Sequence, residues 1–503
     1  MFDAIEPEEA ITAEDYEAAV PRLRGELVSL QHRMRLQGAQ PVMIVVSGLN
    51  CAGRSEIANL LNEWMDPRFV ATEAYWAPSD DERARPPFWR YWRDLPPNGR
   101  IGLFLHAWYT RAAVERFSKK LGKKAFRRHL ERVVTFESLL AADGVELVKL
   151  WMHLDRKHQR RRLDELEKDP LQRWRVGELE RELSRRYGRY QSIAAEAVER
   201  TSTAAAPWIV VDGSDRRSRD LFVGRTVRDA LRRQVEPDRA AHRSATGRPD
   251  TDDAIEIGNH ESEASALAAL DMTRKVSKKH YTNELAKLQR RINRLARRAR
   301  EDRLPVVAIF EGWDAAGKGG AVRRLTAAMD VRDYRVIPIA APSDEERAHH
   351  YLWRFWRHLG RAGRMTIFDR SWYGRVLVER VEGFAAEPEW RRAYDEIVDF
   401  EEQLVDFGAV MLKFWIHVTP DEQLRRFEKR EATPYKRWKL TDEDWRNRKK
   451  WDQYETAVDD MVARTSTGFA PWTLVEGNSK KFARLKVLRT VADALEGAFG
   501  RDG

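Results

Sequence analysis

The segment EGWDAAGKGG (311–320) has the residue types and spacing of a phosphate-binding loop. It follows an apolar run, PVVAIF, precedes a helical pattern, and contains the spacing G-x-x-x-x-G-K from Gly312 to Lys318. Glycines allow backbone N–H groups to converge on phosphate oxygens, the helix N-terminus adds positive potential, and the lysine ammonium reaches the outer phosphates. We predict a phosphate site here rather than a glycine-rich structural turn. The predicted contacts are Gly312, Ala315, Ala316, Gly317, Lys318, Gly319 and Gly320.

Asp314 is the candidate metal ligand within this loop. Gly319 stands where the standard motif has the Ser or Thr whose hydroxyl holds Mg²⁺, so a metal ion here must find other oxygens. A carboxylate facing a chain of phosphates would be repelled unless a cation lay between them. We therefore predict Mg²⁺ at Asp314, and the alternative is an aspartate that only bonds its own turn.

A second cluster, RMTIFDRSWYGR (364–375), begins with another apolar strand pattern. Asp369 falls where a Walker-B-type carboxylate would supply a second metal ligand. Arg370 and Arg375 are predicted to point into the same crevice, at the carboxyl edge of the sheet. Trp372 and Tyr373 could stack on a base, although packing in the core or the cavity wall is favoured.

The stretch 421–445 is rich in basic residues. A solvated helix face is the ordinary explanation for such a run. Its position after a strand of a P-loop fold instead favours a mobile lid that excludes water and clamps the transferring phosphoryl group. The candidate lid residues are Arg425, Arg426, Lys429, Arg430, Lys436, Arg437 and Lys439.

These clusters lie between alternating strand and helix patterns. Short apolar, β-branched runs alternate with amphipathic stretches, which predicts βαβ units, a mainly parallel sheet and an α/β fold. The predicted strands are 305–310, 334–339, 365–368, 410–417 and 472–475, and helices are predicted at 319–329 and 373–384.

The chain contains this arrangement twice. At an offset of 264 residues, 41–111 aligns with 305–375 with about 27 identities in 71 positions, which indicates duplicated domains. Between the copies, 236–270 is polar with a net charge of about −5, the composition of a flexible linker. We predict domains at 1–235 and 271–503 joined by this linker.

Composition limits the remaining possibilities. The 503 residues carry 90 Lys and Arg against 80 Asp and Glu, a formal charge of +10 that favours an anionic partner. The single cysteine, Cys51, excludes an internal disulfide framework, and the apolar runs are far too short to span a membrane. The acidic N-terminus has no secretory h-region, so we expect a soluble cytoplasmic protein.

Together, GWDAAGKGG, FDRSWYGR, KFWIHV and TPYKRWK resemble the polyphosphate kinase 2 family over nearly all of copy two and, more weakly, copy one. The resemblance implies tandem thymidylate-kinase-like P-loop domains, each a three-layer α/β/α fold with a parallel sheet and a helical lid. It also implies Mg²⁺ and phosphoryl transfer between inorganic polyphosphate and a nucleotide. The family's loop Asp and Lys fall on Asp314 and Lys318, and its second Asp-Arg pair falls on Asp369 and Arg370.

Copy one departs from the pattern at these same positions. Asn50, Arg54, Leu105 and His106 stand where copy two has Asp314, Lys318, Asp369 and Arg370. Both candidate metal carboxylates are therefore missing. We predict that copy one is catalytically silent and serves structure, association or polyphosphate contact.

The tandem layout resembles the two-domain class of the family, which implies polyphosphate and AMP as substrates and ADP as product. Three alternatives remain: ADP or GDP as acceptor, an ATP-dependent nucleotide kinase, and a non-catalytic polyanion- or nucleic-acid-binding protein. The basic surface permits the last of these, but acidic residues are interspersed and no nucleic-acid-binding signature is present. We expect no nucleic-acid or membrane partner, and association into a homo-oligomer is left open.

Overall fold

The fold is that of a computed structural model, which describes residues 11–236, 265–433 and 441–500. The chain divides into two compact units. The first contains Met1–Pro78, Arg90–Asp252 and Asp344–His350, and the second contains Ser79–Trp89, Asp253–Ser343 and Tyr351–Gly503. Each unit thus corresponds to one sequence copy, except that Ser79–Trp89 is grouped with the second unit and Asp344–His350 with the first. The domain bounds 1–235 and 271–503 stay a prediction.

Copy one contains five strands and ten α-helices within its described part. The strands are β1 (Val42–Gly48), β2 (Val70–Ala74), β3 (Ile101–Leu105), β4 (Glu146–His153) and β5 (Trp208–Asp212). The helices are α1 (Ala13–Gln37), α2 (Arg54–Trp64), α3 (Asp80–Arg83), α4 (Trp89–Arg93), α5 (Thr110–Phe117), α6 (Lys123–Ala142), α7 (Arg156–Lys168), α8 (Glu178–Arg185), α9 (Tyr187–Thr201) and α10 (Arg216–Val235).

Copy two repeats this order, and its described residues again form five strands and ten α-helices. The strands are β6 (Val306–Gly312), β7 (Tyr334–Pro338), β8 (Met365–Asp369), β9 (Val410–His417) and β10 (Trp472–Glu476). The helices are α11 (Lys278–Glu301), α12 (Lys318–Thr326), α13 (Asp344–Arg347), α14 (Trp353–His358), α15 (Val378–Val381), α16 (Glu387–Asp406), α17 (Pro420–Glu431), α18 (Asp442–Lys449), α19 (Trp451–Thr465) and α20 (Lys480–Phe499).

Each copy forms one all-parallel sheet. The strand orders are β2-β3-β1-β4-β5 and β7-β8-β6-β9-β10, and the registers correspond, since Val42 lies opposite Ile101 and Val306 opposite Met365. The central strands are buried along nearly their whole length, as expected for a parallel sheet that is covered on both faces. The predicted α/β fold and all five predicted strands of copy two are confirmed.

The helix predicted at 373–384 is wrong. The segment is a 3₁₀ turn at Trp372–Arg375 followed by the single turn of α15. The cause is local: Leu377 has non-helical backbone angles (φ −109°, ψ −96°), so the 3₁₀ turn and α15 do not join into one continuous helix.

The polar segment predicted as a linker is described only from residue 265 onward. Its last part contacts the second unit, because the hydroxyl of Ser265 donates to Asp459 Oδ1 at 3.0 Å and Leu267 is buried. Within the described ranges, every helix is too short or too polar to cross a lipid bilayer.

Sheet order and register place the two predicted clusters side by side. β8 pairs with β6 so that Asp369 lies opposite Phe310, two residues before Gly312 of the phosphate loop. The carboxyl ends of parallel strands open at one edge of the sheet, where α/β folds bind ligands. Helix α20 packs on α11, α12 and β9, which holds α12 against the sheet and fixes where its N-terminus points.

Candidate functional site

The phosphate loop of copy two has the predicted position and backbone shape. β6 ends at Gly312, which has φ +144°, and a Cβ there would lie 2.4 Å from the carbonyl oxygen of Ile416, so only glycine fits. Helix α12 begins at Lys318 after Gly317 (φ +116°), and no side chain caps it. An uncapped helix N-terminus at a glycine loop presents backbone N–H groups to an anion.

The side chain of Lys318 folds back against its own phosphate loop. Its Nζ donates to the carbonyl oxygen of Gly312 at 2.5 Å and is 3.4 Å from that of Trp313. Burial lowers the pKa of Lys318, and the nearby Arg370 lowers it further. The carboxylates that oppose this shift and favour the charged ammonium belong to Asp314, Asp369 and Glu311.

The carboxylate of Asp314 is held from two sides. Arg370 has left-handed backbone angles (φ +67°), and its backbone N–H donates to the carbonyl oxygen of Phe310 at 3.0 Å. Its Nη2 lies 3.2 Å from Asp314 Oδ1, while Asn447 Nδ2 donates to Asp314 Oδ2 at 3.0 Å. Asp314, Lys318, Asp369 and Arg370, the four predicted catalytic residues, therefore line one cavity.

This cavity has a volume of about 790 Å³ and is strongly basic. Its wall includes the loop from Trp313 to Gly320 and the acidic residues Glu443 and Asp444. Burial and the neighbouring Arg426 lower the pKa of Lys480 to about 8. Besides Lys318 and Arg370, the wall contains seven basic residues: Arg323, Arg324, Arg426, Lys429, Arg430, Lys480 and Arg484. A concave surface with this many cations suits a ligand that carries several negative charges.

A smaller cavity of about 80 Å³ adjoins the same loop. Leu377, Val378 and Trp415 contribute apolar surface, and the buried carboxylate of Glu311 contributes a polar group that accepts from the Ser371 hydroxyl at 2.8 Å. Burial raises the pKa of Glu311. The two cavities share Trp313, Asp314, Lys318, Arg370 and Glu443. They therefore meet at three of the four predicted catalytic residues, and Asp369 lines only the larger cavity.

Trp313 forms a rigid part of the wall between the loop and the sheet. Its ring stacks on Trp451 with a centroid separation of 3.6 Å and an interplanar angle of 9°. Its Nε1 donates to His417 Nδ1 at 3.1 Å, and burial lowers the pKa of His417 to about 4, so this imidazole is a neutral acceptor at pH 7.

Two of the predicted basic contacts, Arg375 and Arg425, are not among the residues that line the two cavities. Arg375 donates to Glu379 at 2.9 Å and its guanidinium covers the ring of Tyr351. Arg425 pairs with Glu422 on the same helix. The phosphate contacts of Arg375 and Arg425 therefore stay predictions, and the positions of these two side chains do not support them. Lys436, Arg437 and Lys439 lie outside the described residues.

Arg426, predicted as a lid residue, braces the phosphate loop in this structure. Its Nη1 donates to the carbonyl oxygens of Ala315 and Ala316 at 3.0 and 2.7 Å. Its Nη2 donates to those of Gly477 and Asn478 at 2.6 and 3.1 Å, and its side chain is 3% exposed. These bonds hold the loop carbonyls away from the cavity, which leaves the loop N–H groups to face it. A phosphate contact by Arg426 stays a prediction.

Trp372 and Tyr373 pack in the core, as the sequence favoured. Both are fully buried, and both donate to Glu401 Oε1, whose carboxylate pairs with Lys413 Nζ at 2.7 Å. Copy one keeps the corresponding network of Trp108, Tyr109, Glu137 and Lys149. Because this network is retained in the copy that lacks the predicted catalytic residues, we assign it to the fold.

In copy one, the polar residues that stand in place of the predicted catalytic residues make their contacts within the first unit. Asn50 donates to the carbonyl oxygen of Glu180 at 3.1 Å and accepts from Gln159. Arg54 Nη1 lies 3.4 Å from His106 Nδ1. Burial and Arg54 together lower the pKa of His106 to about 4. Leu105 offers no ligand atom at the position of Asp369.

The phosphate cradle of copy one is filled by side chains. Glu56, which aligns with Gly320, accepts from Arg162 at 2.6 Å and from Arg219 at 2.9 Å. Nη1 of Arg219 lies only 2.2 Å from where a Cβ on Gly53 would be. A carboxylate between two guanidinium groups thus occupies the mouth of this loop.

The sequence arguments missed several residues that line the cavities of copy two. Arg324 and Arg484 align at offset 264 with Leu60 and Asp220, so the copy that lacks the predicted catalytic residues also lacks these charges. That loss is a signal available from the internal repeat. Among the charged and polar residues that were missed are Arg323, Arg324, Lys480 and Arg484 in the larger cavity, and Glu311, Asn447 and Tyr454 in the smaller one.

The fold and the site define a P-loop α/β protein of the kinase type. The chain belongs to the polyphosphate kinase 2 family, whose family model, Polyphosphate kinase 2 (PPK2), matches residues 10–239 and 275–501. Both copies are therefore recognised as repeats of one family domain.

Similar proteins extend over the whole chain. The polyphosphate:AMP phosphotransferase of Pseudomonas aeruginosa is 46% identical and covers 100% of both chains, and that of Acinetobacter johnsonii is 37% identical over 91% of each. A crystal structure titled as a putative polyphosphate kinase 2 from Pseudomonas aeruginosa PA01 has a TM-score of 0.88 and 44% identity over the full length of both chains.

Proposed function

We propose that this chain transfers the terminal phosphoryl group of inorganic polyphosphate to AMP, giving ADP and a polyphosphate chain one unit shorter. The observation that carries the proposal is the basic cavity that leads to Lys318 and Asp314. Full-length relatives that bear the name polyphosphate:AMP phosphotransferase support AMP as the acceptor.

The larger cavity is the proposed donor site. Polyphosphate carries about one negative charge per phosphate, so a row of Lys and Arg side chains binds it along its length. The loop N–H groups and Lys318 then hold the phosphate at the chain end. Lys429 and Arg430 line this cavity, which supports their predicted contact with the donor chain.

The smaller cavity is the proposed acceptor side. It meets the larger one at Lys318 and Arg370, so an acceptor phosphate entering from this side reaches the donor end. The attacking oxygen of AMP is already ionised at pH 7 and needs little help from a general base. The new P–O bond forms as the bond to the rest of the chain breaks, and no phosphoenzyme is formed.

Asp314 and Asp369 fit a Mg²⁺ ion of the kind found in phosphoryl-transfer enzymes. No group of three or more His, Cys, Asp or Glu that could hold a metal occurs among the described residues. Mg²⁺ commonly uses one or two carboxylates and takes its remaining ligands from phosphates and water, and both aspartates line the donor cavity. When bound, it would neutralise charge on the phosphates.

Electrostatics and positioning account for the rest of the proposed catalysis. In phosphoryl transfer, charge spreads over the equatorial oxygens of the group in flight, and fixed cations stabilise it. Lys318 and Arg370 stand at the junction of the two cavities and are held there by backbone contacts. Arg426 keeps the loop in shape.

The test is product analysis of the full chain with Mg²⁺, long-chain polyphosphate and AMP. ADP is the expected product, and ATP in place of polyphosphate should give much less of it. If ADP or GDP were phosphorylated faster than AMP, that nucleotide would replace AMP as the proposed acceptor. Activity with ATP alone, or tight salt-sensitive polyanion binding without transfer, would contradict it.

Donor binding should weaken as the pH rises through about 8, the pKa of Lys480. This lysine is charged below that pH and neutral above it, so between pH 7 and 9 the KM for polyphosphate should rise by roughly 3- to 10-fold. The measurement is KM for polyphosphate at saturating AMP across this range. In Lys480→Arg the side chain stays charged, so the rise should flatten; an identical rise in that variant would exclude Lys480 as its cause.

Restoring the loop residues of copy one should not restore activity. In a chain inactivated by Lys318→Ala, the double change Asn50→Asp and Arg54→Lys should give no ADP, because Glu56 and Arg219 still fill the cradle. The measurement is ADP formation with polyphosphate and AMP in long incubations. Any transfer above the Lys318→Ala background would show that copy one retains a usable phosphate site.

A further inference from the structure

The carboxylate of Asp314 has one charged and one neutral partner. Arg370 contacts one oxygen, and the amide of Asn447 on α18 donates to the other at 3.0 Å. Asp314 is 14% exposed, so few other orientations are open to it. A carboxylate bonded on both oxygens keeps its rotamer, and a neutral partner does so without adding a cation that would compete with a metal ion.

Asn447 is itself fixed by a side chain from the next helix. The hydroxyl of Tyr454 on α19 donates to Asn447 Oδ1 at 3.2 Å. The ionised carboxylate of Asp314 only accepts hydrogen bonds, so the amide nitrogen faces Asp314 and the amide oxygen accepts from Tyr454. Tyr454, Asn447 and Asp314 thus form a short chain of hydrogen bonds along the wall of the smaller cavity, where all three are found.

The internal repeat provides an independent comparison. Asn447 aligns with Leu183, which is buried, and Asp314 aligns with Asn50, so the pair was lost together in copy one. Tyr454 aligns with Tyr190, which copy one keeps. Leucine therefore suffices for packing at this place in the fold, and the amide is present only where the aspartate is.

We propose that Asn447 is a positioning residue for the reaction: it holds the Asp314 carboxylate in the orientation needed to bind the divalent cation, and Tyr454 orients Asn447. The proposal rests on the proposed function and adds to it a residue outside both the phosphate loop and the strand β8. Asn447 also connects the site to α18, the next helix along the chain after α17.

The test is Asn447→Leu, which introduces the residue that copy one already has. Loss of an outer-shell partner typically weakens metal affinity by about 10- to 100-fold, so the Mg²⁺ concentration for half-maximal transfer should rise by at least about 10-fold. Independently of turnover, Mn²⁺ binding by the full chain with tripolyphosphate and no nucleotide, followed by electron paramagnetic resonance, should weaken to a similar extent. Tyr454→Phe should give a smaller shift of about 2- to 5-fold.

Asn293→Ala is the matched control. Asn293 on α11 donates its amide to the carbonyl oxygen of Ala328 at 3.1 Å, in the same unit but away from both cavities, and its loss should leave metal binding unchanged. Wild-type Mn²⁺ affinity in Asn447→Leu overturns the positioning role. If Asn447→Leu has a melting temperature well below that of Asn293→Ala, Tyr454→Phe becomes the test instead. An unshifted Mn²⁺ affinity in Tyr454→Phe would then overturn the positioning role of Asn447. Absence of transfer by the wild-type chain would instead refute the proposed function, and the Mn²⁺ measurement would still stand.

Discussion

Replacing Asp314 by asparagine should lower the turnover of the full chain by roughly 1,000-fold or more while the fold survives. The change keeps the shape of the side chain and removes its charge. Copy one contains asparagine at this position, Asn50, within the same strand–loop–helix arrangement, so the loop tolerates it. The measurement is kcat for ADP formation at saturating polyphosphate and AMP, together with the melting temperature of the variant.

Lys318→Ala should produce a loss of similar size, because the ammonium at the junction of the two cavities disappears. The control for both is Asn50→Gln in copy one, which should change kcat by less than about 2-fold if only copy two is catalytic. If Asp314→Asn retained activity within tenfold of the wild type, the bonds of Asp314 to Arg370 and Asn447 would serve only the structure, and the metal assignment would have to be abandoned.

The parts of this site that lie next to each other in sequence could be predicted. A strand, a glycine loop and a helix in direct succession determine where Gly312 and Lys318 must lie, since a parallel sheet aligns the carboxyl ends of its strands. Asp369 could be placed for the same reason, as it ends a strand adjacent to β6. The repeat made the prediction stronger, because the second copy shows which positions change together.

The sequence could not predict which group each basic side chain of the site contacts. The charge of Arg375 was expected to face phosphate, but Glu379, four residues further along the chain, pairs with it. Arg426 contacts loop carbonyls, which no residue pattern encodes. Lys480 and Arg484 reach the cavity from the N-terminal turn of α20, more than a hundred residues after the phosphate loop, and only the packing of α20 on α12 brings them there.

The second large effect concerns stability. Lys413→Met should lower the free energy of unfolding of the second unit by about 3–5 kcal/mol, because it leaves the carboxylate of Glu401 buried without its cation. Both side chains have no exposed surface, and Lys413 Nζ also donates to the carbonyl oxygen of Thr465 at 2.6 Å. The measurement is the denaturant midpoint of the full chain, with kcat determined where the variant is still folded.

Two comparisons distinguish this structural role from a catalytic one. Lys149→Met should destabilise the first unit by a similar amount, because Lys149 makes the same contacts, with Glu137 at 2.7 Å and Thr201 at 2.6 Å. Adding Glu401→Gln to Lys413→Met should recover much of the stability, since no unpaired charge is then buried while Tyr373 keeps an acceptor. Loss of turnover in Lys413→Met with an unchanged denaturant midpoint would place the ion pair in the reaction, and its retention in copy one would then need another explanation.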